Sequence, residues 1–133
     1  MAEPVRVLVV EDEELLREMI ADAIEQAGMA PVCAASGEAA VRIAQQEELG
    51  VAVVDHRLSG ITGAEFIRWV KESPAPHLQQ LPLIGVSGHL GTEQEMLACG
   101  ACCFIQKPLE VPTLLKAIRW ALEVYRTSGA ERC

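Results

Sequence analysis

The stretch Val51-Ala52-Val53-Val54-Asp55 decides the fold of this 133-residue chain. Four consecutive apolar residues predict a short strand that is covered on both faces, because strands of a parallel sheet show unbroken apolar runs. The run ends at an acidic residue, Asp55. The stretch therefore indicates a central strand of an α/β protein.

Four further strand-like runs flank this one, at Arg6–Val10, Ala30–Ala34, Leu83–Val86 and Cys103–Gln106. Segments of helical periodicity follow each of them. Strict alternation predicts a five-stranded parallel sheet with helices on both faces, the doubly wound (βα)5 arrangement of flavodoxin-like proteins. Five strands favour the order 2-1-3-4-5, in which ligands bind outside the carboxyl ends of strands one and three.

Helices are expected after every strand, and start and stop signals set their limits. Ser36 and Thr92 are the expected N-caps of the second and fourth helices, and the segment Ser73-Pro74-Ala75-Pro76 is expected to end the third. The predicted helices cover Glu13–Ala27, Glu38–Gln46, Ala64–Glu72, Thr92–Gly100 and the segment that begins at Pro112.

Composition narrows the class of protein. The net charge of −8 and the pI near 4.8 disfavour direct binding to nucleic acid or to anionic membranes. The first apolar run is cut off by Glu11-Asp12-Glu13-Glu14, so neither a signal peptide nor a membrane span is expected. We expect a cytoplasmic protein with one domain over residues 1–133 and a core from about residue 5 to residue 126.

The five cysteines are expected to be free thiols, because an odd set without a regular framework does not suggest disulfides. Cys99-Gly100-Ala101-Cys102 has the spacing of a redox pair, but such pairs usually open a helix, and this one is expected to close one. Metal binding by Cys102 and Cys103 is disfavoured, since adjacent residues on a strand point to opposite faces.

Side chains that can carry chemistry collect at one rim of the predicted sheet. Glu11 and Asp12 follow the first strand, Asp55 closes the third, Ser87 closes the fourth and Lys107 follows the fifth. Converging carboxylates repel one another, so either one pKa rises or a cation binds. An oxygen-rich set favours Mg²⁺. Each residue alone has a simpler explanation, such as an acidic helix N-terminus or a turn, and only the combination favours a site.

Nearly the whole chain, from Val5 to about Arg126, resembles the receiver domains of two-component response regulators, particularly chemotaxis regulators. The matching segments are Leu8-Val9-Val10-Glu11-Asp12-Glu13, Val53-Val54-Asp55-His56-Arg57-Leu58 with Gly63, Val86-Ser87-Gly88, and Gly100-Ala101 followed by Phe104-Ile105-Gln106-Lys107-Pro108.

The resemblance implies a role for each matching residue. Asp55 would accept a phosphoryl group, and Mg²⁺ would be bound by Asp55, by Asp12 directly, by Glu11 through water and by the backbone carbonyl of Arg57. Ser87 and Lys107 would hold the phosphoryl oxygens. Phe104 would rotate when Ser87 moves toward the phosphate. The Lys107–Pro108 peptide bond would be cis. Before phosphorylation, only water or the acidic site is expected to compete for the Ser87 hydroxyl.

The chain departs from the family pattern at several positions. His56 stands where an apolar residue is usual, and Ser59 where proline is usual. Arg57 and His89 occupy positions that, in such domains, border the phosphoryl group and influence its hydrolysis. The lifetime of a phosphorylated state is therefore not fixed by the resemblance.

The resulting hypothesis is a signalling switch in a phosphorelay. The phosphoryl donor would be a sensor histidine kinase or a histidine phosphotransfer protein, and a downstream protein or a second copy would read the face around the fourth helix, fifth strand and fifth helix. An Mg²⁺-dependent phosphohydrolase is an alternative, although Arg57 stands where a second Asp is usual. A flavin protein is disfavoured because Glu11–Glu14 would repel its phosphate. A receiver-like module without phosphorylation is disfavoured because every required side-chain type is present.

Overall fold

The structure, a computed structural model, describes the backbone of residues 3–132 and the side chains of residues 3–125. Five parallel strands form one sheet in the order β2-β1-β3-β4-β5, which confirms the predicted topology. The elements are β1 (Arg6–Val10), α1 (Glu14–Gln26), β2 (Ala30–Ala34), α2 (Gly37–Gln46), β3 (Val51–Asp55), α3 (Gly63–Glu72), α4 (Pro76–Gln79), β4 (Leu83–Ser87), α5 (Thr92–Cys99), β5 (Cys103–Gln106) and α6 (Val111–Arg132).

The core has two layers, one on each face of the sheet, and every residue of β3 is buried. Alternate residues of a strand face opposite sides, so Val51 and Val53 belong to one layer and Ala52 and Val54 to the other. The α1/α6 cluster comprises Val7, Val9, Ile20, Ile24, Val51, Val53, Ile84, Val86, Ile105, Leu114, Ile118 and Ala121. The α2/α3/α5 cluster comprises Leu8, Val10, Ala34, Ala40, Ala44, Ala52, Val54, Ala64, Phe66, Ile67, Val70, Leu78, Leu81, Leu83, Met96, Cys99 and Ala101.

Local capping explains where several helices begin. The Ser36 side chain accepts a hydrogen bond from the backbone N–H of Ala39 at 3.1 Å, which confirms it as the N-cap of α2. Thr62 caps α3 through a reciprocal capping box with Glu65. These caps fix the starts of the two helices that precede and follow β3 in the chain. No helix within residues 3–132 is both long and apolar enough to cross a membrane.

The segment Ser73-Pro74-Ala75-Pro76 ends α3 as predicted, since the helix stops at Glu72. The sequence did not predict α4, a helix of four residues that follows with Pro76 at its start and is too short to produce an apolar periodicity. The expectation for Thr92 was wrong. Thr92 is the first residue of α5 and not its N-cap, because Gly91 occupies the cap with φ of 84°. The Thr92 hydroxyl instead donates to the His89 carbonyl at 2.7 Å.

The cysteines with described side chains are free, as expected, whereas Cys133 lies outside the described side chains. The expected opposite placement of Cys102 and Cys103 was wrong, since both pack against the α1/α6 cluster. The strand begins only at Cys103, so the alternation of a regular strand does not apply between the two residues.

Candidate functional site

Three carboxylates meet where β1 and β3 end. Val10 of β1 pairs in register with Val54 of β3, so the residues that follow, Glu11 and Asp55, lie side by side at the same edge of the sheet. Carboxylate oxygens of Glu11, Asp12 and Asp55 all lie within 4.8 Å of one another. The topology therefore brings together the acidic residues that the sequence predicted to be neighbours.

Lys107 reaches this carboxylate group from the end of β5. Its ammonium nitrogen lies 3.1 Å from Asp55 Oδ1 and 3.4 Å from Glu11 Oε1. Its backbone N–H donates to the Ser87 carbonyl at 3.0 Å, which continues the pairing of β5 with β4 to the point where the side chain leaves the sheet. The Lys107–Pro108 peptide is cis, as predicted. One cation thus lies between two buried acids.

Burial governs the electrostatics of the site. Glu11 and Asp55 are only 3% and 5% exposed. Burial, reinforced by the charge of Asp55, raises the pKa of Glu11 to about 7, although a hydrogen bond from Glu13 and the charge of Lys107 oppose the shift. The pKa of Asp55 is also raised, again mainly by burial and against the effect of Lys107. Burial disfavours the charge on Lys107, but Asp55 and Glu11 outweigh it and raise its pKa above the usual value.

The loop after β1 is held in place by hydrogen bonds within the loop and from α1, the helix that follows it. The backbone N–H of Glu13 donates to Glu11 Oε2 at 3.1 Å. Arg17, one turn further along, donates from Nη1 to the Glu11 carbonyl at 3.0 Å. These two contacts fix the orientation of the Glu11 side chain and the turn that presents Asp12. Sequence reasoning missed the contribution of Arg17, because its signal is only that of an exposed charge on a helix.

The end of β3 is shaped by a close approach of α3. A Cβ atom on Gly63 would lie 2.1 Å from the Asp55 carbonyl oxygen, much closer than any contact tolerates. The Gly63 N–H donates to the His56 carbonyl at 2.9 Å. The glycine therefore lets the start of α3 pack directly on the backbone of Asp55.

The carboxylates open onto a cavity of about 260 Å³. Arg57 and His89, which the resemblance places beside the phosphoryl group, both contribute to the wall of this cavity. The complete lining is Glu11, Asp12, Glu13, Asp55, Arg57, Gly88, His89 and Lys107. A small anionic group can thus reach Asp55 from solvent while it faces two basic side chains and a histidine.

Ser87 lies at the end of β4, as predicted, but it is not part of the cavity wall. It is 1% exposed, and its Oγ accepts a hydrogen bond from the backbone N–H of His89 at 3.1 Å. The expectation that only water or the acidic site competes for this hydroxyl was therefore wrong. Its own proton is still available for donation, because the His89 contact uses an acceptor lone pair.

Phe104 lies in β5 opposite Gly85 of β4 and two residues before Gln106, which pairs with Ser87. Its side chain is half-buried and packs against the α2/α3/α5 cluster. Met96 of α5 lies over Gly85, since its sulfur would be 2.9 Å from a Cβ added there. Phe104 thus lies beside the strand that ends in Ser87 and packs on the cluster to which Met96 of α5 belongs.

A contact that the sequence did not suggest joins the loop after β3 to α5. The imidazole Nε2 of His56 lies 2.6 Å from Glu95 Oε1. The two residues are 39 positions apart, so no local pattern predicts the pair. The unusual polar residue after Asp55 therefore has a structural partner on the neighbouring helix.

Comparison with known proteins gives a consistent result. A family model described as the response regulator receiver domain matches residues 7–119. The polar-differentiation response regulator DivK of Brucella ovis is 29% identical over 115 residues, which is 85% of this chain and 92% of the relative.

Solved structures agree with this result. The chemotaxis response regulator CheY4 of Vibrio cholerae is 28% identical, with a TM-score of 0.83 over 90% of this chain and 99% of that chain. A CheY-like receiver domain protein from Methanospirillum hungatei, at 22% identity, shares the fold with a TM-score of 0.86 over 94% of this chain and 98% of that one.

Proposed function

This chain belongs to the response regulator receiver domain family, the phosphorylatable switches of two-component signalling, and on that premise we propose that Asp55 is its phosphoacceptor. The observation that carries the proposal is the position of Lys107, whose ammonium group lies 3.1 Å from Asp55 Oδ1 beside a solvent-open cavity. A lysine that is paired with a buried carboxylate at a cavity wall can form a charge-assisted hydrogen bond to the oxygens of an incoming phosphoryl group.

The proposed reaction is a phosphoryl transfer from a phosphohistidine. A carboxylate oxygen of Asp55 forms a bond to phosphorus as the phosphorus–nitrogen bond breaks, and the imidazole of the donor keeps the electron pair and takes up a proton. Lys107 and the Ser87 hydroxyl are the proposed partners of the phosphoryl oxygens, where their donors offset the added negative charge.

The carboxylate group fits a hard divalent cation. Two of its members are buried, and among residues 3–125 only the ammonium group of Lys107 forms a salt bridge with the three acids, so a further positive charge would offset their repulsion. We propose that Asp12, Asp55 and the Arg57 carbonyl bind Mg²⁺ directly and that Glu11 binds it through water. When bound, Mg²⁺ would neutralise charge that develops on the transferred group.

We propose that phosphorylation acts through Ser87 and Phe104 on the face formed by α5, β5 and α6, which we call the switch face. A sensor histidine kinase or a histidine phosphotransfer protein would be the donor, and a downstream protein or a second copy would read this face. The domain is proposed to occupy residues 1–133 with a core over about residues 5–126, and to act in the cytoplasm, where ATP-dependent kinases operate. Only a partner that binds the two states with different affinity can read such a switch.

Beryllofluoride with Mg²⁺ tests the proposal, because it mimics a phosphoryl group on a carboxylate. We expect the wild type to bind it with changes in the amide spectrum, and Asp55→Asn to show none. Asp22→Asn, an exposed change on α1, is the matched control and should respond like the wild type. An undiminished response of Asp55→Asn would refute the assignment, and a requirement for Zn²⁺ in place of Mg²⁺ would refute the proposed metal.

A further inference from the structure

Two adjacent thiols lie at the start of β5, away from the acidic site. Cys102 and Cys103 are both half-buried and both pack against the α1/α6 cluster. Cys99 is separate, since it is buried in the α2/α3/α5 cluster on the other face of the sheet. Within residues 3–132, β5 pairs only with β4 and forms an edge of the sheet, so the two thiols lie at this edge.

The two thiols interact with each other, and the interaction makes them chemically different. Hydrogen bonding by Cys103 lowers the pKa of Cys102 to about 7 against the opposing effect of burial, and Lys71 lowers it further. The same interaction, together with burial, raises the pKa of Cys103. Cys102 is therefore the more readily ionised of the two thiols, and the thiolate is the form that reacts with electrophiles.

We propose that Cys102 and Cys103 form a redox-modification site that hydroperoxides oxidise reversibly to a disulfide between adjacent residues. In the first step Cys102 sulfur attacks a peroxide oxygen, the oxygen–oxygen bond breaks, and hydroxide, or alkoxide from an organic peroxide, leaves and takes up a proton. Cys103 sulfur then attacks the sulfenic acid of Cys102, and its thiol proton and the departing hydroxide form water. Two thiols lose two hydrogens, and the peroxide is reduced.

Geometry explains why such a bond would be reversible. Consecutive Cα atoms are about 3.8 Å apart, whereas disulfides usually join Cα atoms about 4.4–6.8 Å apart. The disulfide is therefore strained, and strained disulfides are more easily reduced and are often regulatory. A thiol reductant should restore the pair without unfolding the domain.

The position of the pair connects the modification to the switch face. The Cys102 N–H donates to the Leu83 carbonyl at 2.8 Å, and Cys103 pairs with Ile84 of β4. A bond between the two sulfurs would twist the peptide that links these residues and so disturb the start of the β4–β5 pairing. Phe104 is the next residue of the strand, so oxidation should alter its surroundings.

Intact-protein mass spectrometry tests the site in a variant of the 133-residue chain that carries Cys33→Ser, Cys99→Ala and Cys133→Ser. Hydrogen peroxide should remove the mass of two hydrogens from the monomer, and dithiothreitol should restore it. Adding Cys103→Ser should abolish this loss and give addition of oxygen instead. Substoichiometric iodoacetamide should alkylate Cys102 in preference to Cys103.

The result that would overturn the inference is oxygen addition or a crosslinked dimer without the loss of two hydrogens in the variant that keeps both thiols. Amide spectra of the oxidised form should shift in β4 and β5, and unchanged spectra would refute the connection to the switch face. The same oxidation is expected in Asp55→Asn, so failure of this inference and failure of the phosphoacceptor assignment are separate results.

Discussion

Glu11, Asp55 and Lys107 illustrate how single residues set the chemistry of this domain. Two nearly buried acids are compensated by one ammonium group at 3.1 and 3.4 Å, while the exposed Asp12 adds a third negative charge. Buried charges are stable only when they are paired, so three carboxylates beside one ammonium group leave negative charge uncompensated. When no cation is bound, the raised pKa of Glu11 allows this carboxylate to take up a proton near pH 7, which reduces the negative charge.

The pKa of Glu11 predicts how Mg²⁺ binding should depend on pH. Protons and the cation compete for the same carboxylates, so lowering the pH through about 7 should weaken Mg²⁺ binding as Glu11 becomes protonated. The apparent dissociation constant should rise by up to about tenfold for each pH unit below that value. Isothermal titration calorimetry between pH 5.5 and 8.5 measures this dependence.

Glu11→Gln is the matched variant, because it keeps the shape of the side chain and removes the titration. It should bind Mg²⁺ more weakly at pH 8.5 and lose most of the pH dependence near 7. Equal affinity of the wild type at pH 5.5 and pH 8.5 would contradict the raised pKa or the participation of Glu11.

At the scale of elements, the pair formed by His56 and Glu95 links the loop after β3 to α5. Glu95 is 53% exposed, so the pair should contribute no more than about 1 kcal/mol to overall stability. Its effect should instead be local. We predict that Glu95→Ala increases hydrogen exchange in α5 with little change in the free energy of unfolding.

Glu93→Ala is the control for this prediction, since Glu93 is exposed on the same helix and forms no salt bridge among the residues with described side chains. Hydrogen exchange followed by mass spectrometry distinguishes the two variants. If both variants show the same hydrogen exchange in α5, the contact between His56 and Glu95 does not hold α5 to the loop after β3.

The junction of β3 with α3 depends on the missing side chain of Gly63. A methyl group there would lie 2.1 Å from the Asp55 carbonyl oxygen, so the start of α3 would have to move away from the strand. We predict that Gly63→Ala lowers the free energy of unfolding by roughly 3 kcal/mol, as overpacking against rigid backbone does. Urea denaturation measures the change.

Gly88→Ala provides the comparison, because a Cβ at this exposed position would meet only the Cβ of Lys107 at 3.4 Å. It should change stability by no more than about 0.5 kcal/mol. Similar losses in the two variants would mean that the close approach at Gly63 is not what limits the junction.

The sequence predicted the strands well, because each is a short apolar run with clear ends. Their alternation with helices indicated a parallel sheet, and the number of strands favoured the order that the structure shows. It also located Glu11, Asp55 and Lys107 at one edge, since the carboxyl ends of parallel strands share that edge. It could not predict α4, which is too short to show a periodicity. It could not predict the pairing of His56 with Glu95 or the Ser87–His89 contact either, because tertiary packing and loop geometry determine them.

At the scale of the whole molecule, the proposed signal at Asp55 must reach a surface that partners can bind. The acidic site lies at the carboxyl edge of the sheet, where Lys107 follows the end of β5. The same strand carries Phe104 and is part of the face formed by α5, β5 and α6. Several exposed apolar side chains are available on the two helices, including Leu97 of α5 and Trp120 of α6, which is 46% exposed. A change at one end of β5 can therefore alter what this face presents.

Ser87 is the residue on which this transmission should depend. Its Oγ accepts from His89 N–H, and its proton is available for a charge-assisted bond to a phosphoryl oxygen on Asp55. Forming that bond should draw the end of β4 inward and leave space beside β5. Phe104 can then turn inward, and it loses no surface hydrogen bond because it has no hydroxyl.

We predict that Ser87→Ala still binds beryllofluoride with Mg²⁺ but no longer transmits the change to β5 and α6. Loss of one hydrogen bond to a charged group should weaken binding by roughly tenfold or somewhat more. Amide spectra at saturating beryllofluoride should then show shifts near Asp55 and few in β5 or α6, while Ser87→Thr, which keeps the hydroxyl, should restore them. Lys107→Ala should also reduce the shifts in β5 and α6, because Lys107 is the second proposed partner of the phosphoryl oxygens. If Ser87→Ala gives the full wild-type shifts in β5 and α6, transmission follows another route, and Phe104 has only a packing role.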